Sequence, residues 1–152
     1  MSKGWFYEGK EFGYDDFVER TEQGFIVFVY CTTDLKSGNK YIGKKEFFRK
    51  KILPVTKTRK RRKHTKVESN WQDYYGSSPM IMEKVSLGDT DRFARTILVF
   101  GKTKGDLSYL EAKMQFDHDV LAKDSYINGI INCRISKSHL SEDLRKELSN
   151  DN

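Results

Sequence analysis

Cysteine and proline are scarce, two of each in 152 residues, and so is histidine, with three. Cys31 and Cys133 lie far apart in no CxxC spacing, which excludes a redox pair or a zinc knuckle and leaves two thiols expected to be buried or half-buried. His64, His118 and His139 are scattered, so no HxxxH or HxxE metal helix can be written. There is no Gly-rich phosphate loop and no GxSxG elbow, and an enzyme built on a small-molecule cofactor is not expected. No apolar run reaches the roughly 18 residues of a membrane span. The opening "MSKGWFYEGKEFGYDD" lacks the charged-then-apolar layout of a secretion signal, so the expected location is cytoplasmic.

Acids are missing where bases crowd. Residues 44–66 hold twelve of the twenty-eight Lys and Arg but a single acid, Glu46, a local charge of +11 against −5 for the rest. So focused a field fits a polyanion, and nucleic acid is the expected partner. The side chains expected to meet it are Lys44, Lys45, Lys57, Arg59, Lys60, Arg61, Arg62, Lys63 and Lys66. A solvated, mobile loop would have the same composition.

The length allows one ordinary domain. Residues 1–23 mix aromatics with Gly and acids and read as a hairpin or clasp over the core. "GFIVFVYCTT" is dense in β-branched and aromatic residues and predicts a central strand; "DLKSGN" is a turn and "KYIG" a second strand, together a hairpin. "KKEFFRKKIL" predicts one or two helical turns before Pro54, and residues 54–69 a flexible basic loop. "SSPMIMEKVSLG" predicts a helix capped by Ser78, with Pro79 in its first turn and Gly88 closing it. "RFARTILVF" reads as a third strand. "DLSYLEAKMQFDHDVL" is the longest helix, with Asp106 as its expected cap, and "YINGIINCRIS" an irregular stretch packing back on the sheet. Residues 133–152 end in an amphipathic helix and a fraying tail.

Tyr30 closes an apolar strand, and eleven positions on stands Tyr41, followed by Ile42 and Gly43. With "FVY" for the first triplet and "YIG" intact, this resembles the signature of the GIY-YIG endonucleases. "YIGKKEFF", "WQDYYGSS" and "SYLEAKMQF" resemble phage members of that family, described as homing-type endonucleases. The resemblance covers residues 24–132 and implies an α/β (α+β) fold: a small three-stranded antiparallel sheet flanked by helices. It implies a phosphodiester hydrolase cutting DNA, with Glu111 holding one Mg²⁺ or Mn²⁺ and Tyr30 and Tyr41 lining the site. A catalytic cation is implied just after the second triplet, where Arg49 stands with Lys51 and Lys45 as alternatives. Asn128, in "YING", resembles an asparagine that helps hold the site, and Tyr74, Tyr75 and His64 are candidates for a further Tyr/His position.

These residues suit the chemistry. On a helix Glu111 lies beside the Leu107 and Leu110 stripe, where one carboxylate oxygen can bind a Mg²⁺ that keeps most of its waters, or simply flank the stripe. A phenol with pKa near 10 holds its proton at neutral pH, so positioning water is the expected role of the tyrosines. Arg49 can contact a phosphate bidentately as lysine cannot. The alternative is a non-catalytic nucleic-acid-binding protein that uses residues 44–66 alone, its tyrosines serving only as core. A further alternative is an assembly protein docked on an acidic partner.

Overall fold

The computed structural model describes residues 4–150. Seven strands and four helices follow one another as β1 (Trp5–Tyr7), β2 (Lys10–Phe12), α1 (Tyr14–Glu22), β3 (Val27–Asp34), β4 (Lys40–Glu46), β5 (Phe48–Leu53), β6 (Lys63–Glu68), α2 (Pro79–Ser86), β7 (Phe93–Gly101), α3 (Lys104–Asp117) and α4 (Glu142–Ser149). The main sheet has five strands in the order β2-β1-β7-β3-β4, not three, and β5 and β6 form a separate two-stranded ribbon. It is mixed rather than purely antiparallel, because β1 runs parallel to β7.

β3 is central because its β-branched and aromatic side chains pack on both faces. Phe28, Tyr30 and Thr32 point one way and Val27, Val29 and Cys31 the other, as strand alternation requires. The first face is aromatic: Trp5, Phe12, Phe17, Phe28, Phe47, Trp71 and Phe100 are all buried. Phe17 of α1 lies 5.0 Å from Trp71 and 5.1 Å from Phe47, centroid to centroid. The second face is aliphatic and lies under α3 and α4, with Val29, Ile42, Leu107, Leu110, Val120 and Leu144. Between Val29 and Tyr30 the pairing with β7 steps from Val99 to Ile97, leaving Leu98 as a bulge. Without that extra residue Ile97 and Phe100 would fall on opposite faces; with it both join the aromatic core.

Several expectations are corrected. "KKEFFRKKIL" forms no helix: residues 44–46 prolong β4 and residues 48–53 are β5. On a helix Lys45 and Arg49 would stand four apart and repel, whereas the strand break lets Phe47 enter the aromatic core. Residues 54–69 are not loop throughout, since β6 pairs with β5 from Lys63 to Glu68. The ribbon is tied at its base by Ser69, whose N–H donates to Phe47 O (2.8 Å) and whose hydroxyl donates to Glu46 O (2.6 Å). The α3 cap is Thr103, whose hydroxyl accepts from Asp106 N–H at 3.0 Å; Asp106 is buried and accepts from Ser141 N–H (2.8 Å) and Oγ (2.7 Å). Cys133 is exposed, not buried. α1 was not foreseen. The expected fraying tail lies partly at residues 151–152, outside the described residues. Among those described, no helix is long and apolar enough to cross a membrane.

Candidate active site

Tyr30 sits opposite Gly43 and Thr32 opposite Tyr41, which makes Tyr30 and Tyr41 diagonal neighbours on the aromatic face. Their ring centroids are 6.4 Å apart. Gly43 between them is a close approach: a Cβ there would stand 2.5 Å from Tyr30 Oη, 2.7 Å from Tyr30 Cζ and 2.9 Å from Tyr41 Cε2. Gly76, at φ +137°, walls the other side, its hypothetical Cβ 3.4 Å from Tyr30 Oη. Tyr74 meets Tyr30 edge-on at 5.8 Å, and Tyr41 Oη shares a hydrogen bond with Ser77 Oγ at 2.9 Å.

The Tyr30 ring is fully buried, and its hydroxyl has no partner in hydrogen-bonding geometry. Burial pushes its pKa well above 10; Tyr74, close enough to interact with the hydroxyl though not in good hydrogen-bonding geometry, adds to the rise, as do Tyr41 and Glu111. Burial also raises Tyr41, partly offset by Ser77 and reinforced by Tyr74 and Glu111. Both are phenols, not phenolates, at neutral pH.

Glu111 comes from the opposite face. α3 covers the aliphatic side, and Glu111, one residue beyond buried Leu110, is 15% exposed with its carboxylate 3.8 Å from Lys44 Nζ. Burial raises its pKa and Lys44 opposes the rise. Glu111 can act on tyrosines across the sheet because β4 is an edge strand.

The edge is clamped at Ile42. Asn128 Oδ1 accepts from Ile42 N–H (3.0 Å), and Asn128 Nδ2 and Gln115 Nε2 donate to Ile42 O (2.8 and 3.0 Å). A side-chain amide thus supplies the pairing a neighbouring strand would have given. On the aromatic side, Arg95 of β7 donates to Gln72 O (2.9 Å) and Tyr74 O (2.8 Å), its guanidinium 4.0 Å from the Tyr75 ring centroid. Thr32 Oγ1 donates to Tyr75 O at 2.7 Å, so the segment carrying Tyr74 and Ser77 is fixed to the sheet. Gln115, Arg95 and Ser77 were not singled out as functional from sequence. Gln115 stands one helical turn beyond Glu111 on α3, a spacing visible in the sequence, whereas Arg95 gave no signal before the sheet was assembled.

The cations divide. Lys45 Nζ lies 4.1 Å from the Tyr74 ring centroid and donates to Asn70 Oδ1 at 2.6 Å, and burial lowers its pKa. Arg49 stands apart on β5, opposite Val67, in a groove with Glu46, Lys50, Lys66 and Lys104. Lys51 is exposed opposite Thr65, and His64 is exposed opposite Ile52. Tyr75 packs in a small core with Ile81 and Phe93, against which Tyr41 also rests. The structure therefore brings together Tyr30, Tyr41, Tyr74 and Lys45 on the aromatic face, with Lys44 and Glu111 paired on the other face of β4 and Asn128 at its edge. Arg49, Lys51 and His64 lie on the ribbon.

A hairpin presenting two tyrosines over a glycine, followed by a third strand and a helix bearing a glutamate beside them, is the layout of a GIY-YIG nuclease domain. Comparison with protein-family models matches residues 5–131 to the family described as "Putative endonuclease segE, GIY-YIG domain". The chain belongs to this GIY-YIG endonuclease family. The match begins within β1, so it includes the N-terminal hairpin. Searches of curated proteins and of solved structures give no match.

Proposed function

We propose that this GIY-YIG domain is a divalent-metal-dependent endonuclease that hydrolyses phosphodiester bonds of DNA at the edge of β4, in a phage homing-type role. The observation that carries the reading is Tyr30 and Tyr41 packed over Gly43 on one face of the edge strand β4, with the Glu111 carboxylate paired to Lys44 on its other face. A buried hydroxyl without a partner costs stability in a purely structural role. It is explained by a ligand that it contacts only in the complex.

Among the described residues no three or more His, Cys, Asp or Glu are grouped so as to hold a metal ion by themselves. A lone half-buried carboxylate suits Mg²⁺ or Mn²⁺, which keep several waters and take the rest of their shell from substrate phosphate. Such an ion, when bound, supplies Lewis acidity on the phosphate oxygens.

The protein groups do the positioning. Tyr30 and Tyr41, held protonated, orient the attacking water by hydrogen bonds, Tyr41 in concert with Ser77. Lys45, on the same face as the tyrosines, neutralises a phosphate oxygen as the water oxygen bonds to phosphorus and the bond to the leaving sugar oxygen breaks, the water giving up a proton to solvent and the leaving oxygen taking one from it. Lys45 takes the catalytic-cation role in preference to Arg49 or Lys51, which stand on the ribbon. Asn128 and Gln115 hold the edge on which Gly43 sits.

Supercoiled plasmid, incubated with Mg²⁺ or Mn²⁺ and separately with EDTA, tests this. Nicking is expected with metal only, and is lost in Glu111→Ala and reduced in Tyr30→Phe. Wild-type rates in Glu111→Ala would sink the mechanism. A plasmid that is shifted on a gel but left intact by all three proteins would favour a binding role.

A further inference from the structure

The β5–β6 ribbon contributes nothing to the two sheet cores beyond Phe48 at its base, yet it carries the densest charge of the chain. Residues 49–67 contain ten Lys or Arg and no acid. Antiparallel partners share a face, so the register defines what each side displays. Beyond Phe48 and Glu68, one face presents Lys50 opposite Lys66 and Ile52 opposite His64, all exposed. The other presents Arg49, Lys51 and Lys63 beside half-buried Val67, Thr65 and Leu53.

In the free protein Lys50 and Lys66 share their groove with one acid, Glu46, against four cations. Two lysines placed directly across a ribbon repel, and Ile52 is 53% exposed on an otherwise polar arm. Both features become favourable against a groove that offers acceptors, phosphates and methyl groups. The arm is closed at its tip by its own contacts: Thr56 N–H donates to Arg59 O at 2.9 Å and Arg59 Nη2 donates to Pro54 O at 2.6 Å. It is thus a folded finger, with Lys57, Lys60, Arg61 and Arg62 exposed around the tip.

Shape selects the partner. Strands about 4.8 Å apart with their side chains make a ribbon that the roughly 12 Å major groove of B-DNA admits. The major groove of an RNA duplex is too narrow and deep for it. Single strands are bound on exposed aromatic platforms, and no Phe, Tyr or Trp occurs between Phe48 and Trp71.

We propose that the β5–β6 ribbon is an arm that enters the major groove of duplex DNA, turning Lys50, Ile52, His64 and Lys66 to the base edges while the tip bases meet the flanking phosphates. For the class of its partner this rests on the nuclease reading above. The arm gives the enzyme a grip on duplex independent of the β4 edge, and a route to sequence preference through lysine–guanine and isoleucine–thymine-methyl contacts.

The test is equilibrium binding of the wild-type protein in EDTA, by fluorescence anisotropy. The probes are a labelled duplex of about 20 bp, two helical turns, the same duplex with bulky 5-substituents on its pyrimidines filling the major groove, and one of its single strands. The plain duplex is expected to bind at least about tenfold tighter than either of the others, the order of a single lost base contact. Lys50→Ser with Lys66→Ser should shrink that ratio while holding or raising the thermal midpoint, since the repelling pair is gone. Equal binding of plain and groove-filled duplex, or preference for single strand, overturns the proposal. Because no cleavage is read, the two ideas fail separately. Nicking with no groove discrimination refutes the arm alone, and groove discrimination without nicking refutes the nuclease chemistry alone.

Discussion

Gly43→Ala is the substitution on which the geometry bears hardest. Its φ is not in the left-handed region, so backbone strain is not the issue; the cost comes from what the methyl would meet. At 2.5 Å from Tyr30 Oη, 2.7 Å from Tyr30 Cζ and 2.9 Å from Tyr41 Cε2, the new carbon falls inside van der Waals contact with two rings. Tyr30 cannot swing away, since Trp5 at 5.4 Å, Phe28 at 6.3 Å and Tyr74 at 5.8 Å enclose its ring. Overpacking of a filled core costs about 1–3 kcal/mol. For a chain of this size that lowers the thermal midpoint by about 2–4 °C per kcal/mol. Urea denaturation and plasmid nicking are the paired assays, and nicking should fall further than stability because both hydroxyls are displaced. In a Tyr30→Phe background the closest clash disappears, so the stability cost of Gly43→Ala should shrink. If Gly43→Ala matches wild type in both midpoint and nicking, the close-approach argument for this site is wrong.

Tyr30→Phe removes a buried hydroxyl with no partner, so its stability should be unchanged or higher, by up to about 1–3 kcal/mol; a clear loss in urea would mean the hydroxyl is bonded in solution. Glu111→Gln should behave likewise, because burial raises the carboxyl pKa and the charged form is the one the fold disfavours at neutral pH. Stability held while metal-dependent nicking vanishes is the expected result; retained nicking would dismiss the carboxylate. Asn128→Ala strips the side-chain acceptor from Ile42 N–H and a donor from its carbonyl, costing about 1–3 kcal/mol, measurable as a lower urea midpoint with faster amide exchange at Ile42. At Asp34 burial alone would raise the pKa, but hydrogen bonds from Arg92 and the Lys36 N–H outweigh it and hold it down to about 2. A depressed carboxyl stabilises the fold above its unfolded pKa near 4, and that contribution is lost as pH falls from there toward 2. Arg92→Gln should therefore be less stable at pH 7 and flatter through that window; parallel pH curves would argue against the pair.

How far the site could be read in advance differed residue by residue. Tyr30, Tyr41 and Gly43 were legible because they lie on one hairpin, where a turn and strand alternation fix their relative positions over a short stretch of chain. The helix at α2 was equally local, its Ser78, Pro79 and Gly88 falling at the positions expected. The basic segment was legible in charge but not in form. A polar run with no alternation carries no period, and its pairing depends on Phe47 anchoring in the aromatic core and Ser69 tying the base.

Sequence by itself determined the family, the strand–turn–strand that carries the tyrosines, the glutamate-bearing helix and the focused positive charge, all properties of neighbouring residues. Only the tertiary structure decided that β4 is an edge, that Glu111 pairs with Lys44 on the face opposite the tyrosines, that Lys45 faces Tyr74 while Arg49 stands on the ribbon, and that Arg95 and Gln115 join Asn128 in fixing the frame. The physical reason is the same in each case. These relations join residues tens of positions apart whose approach is set by which sheet face each occupies, and a face is assigned only when every strand has found its partner.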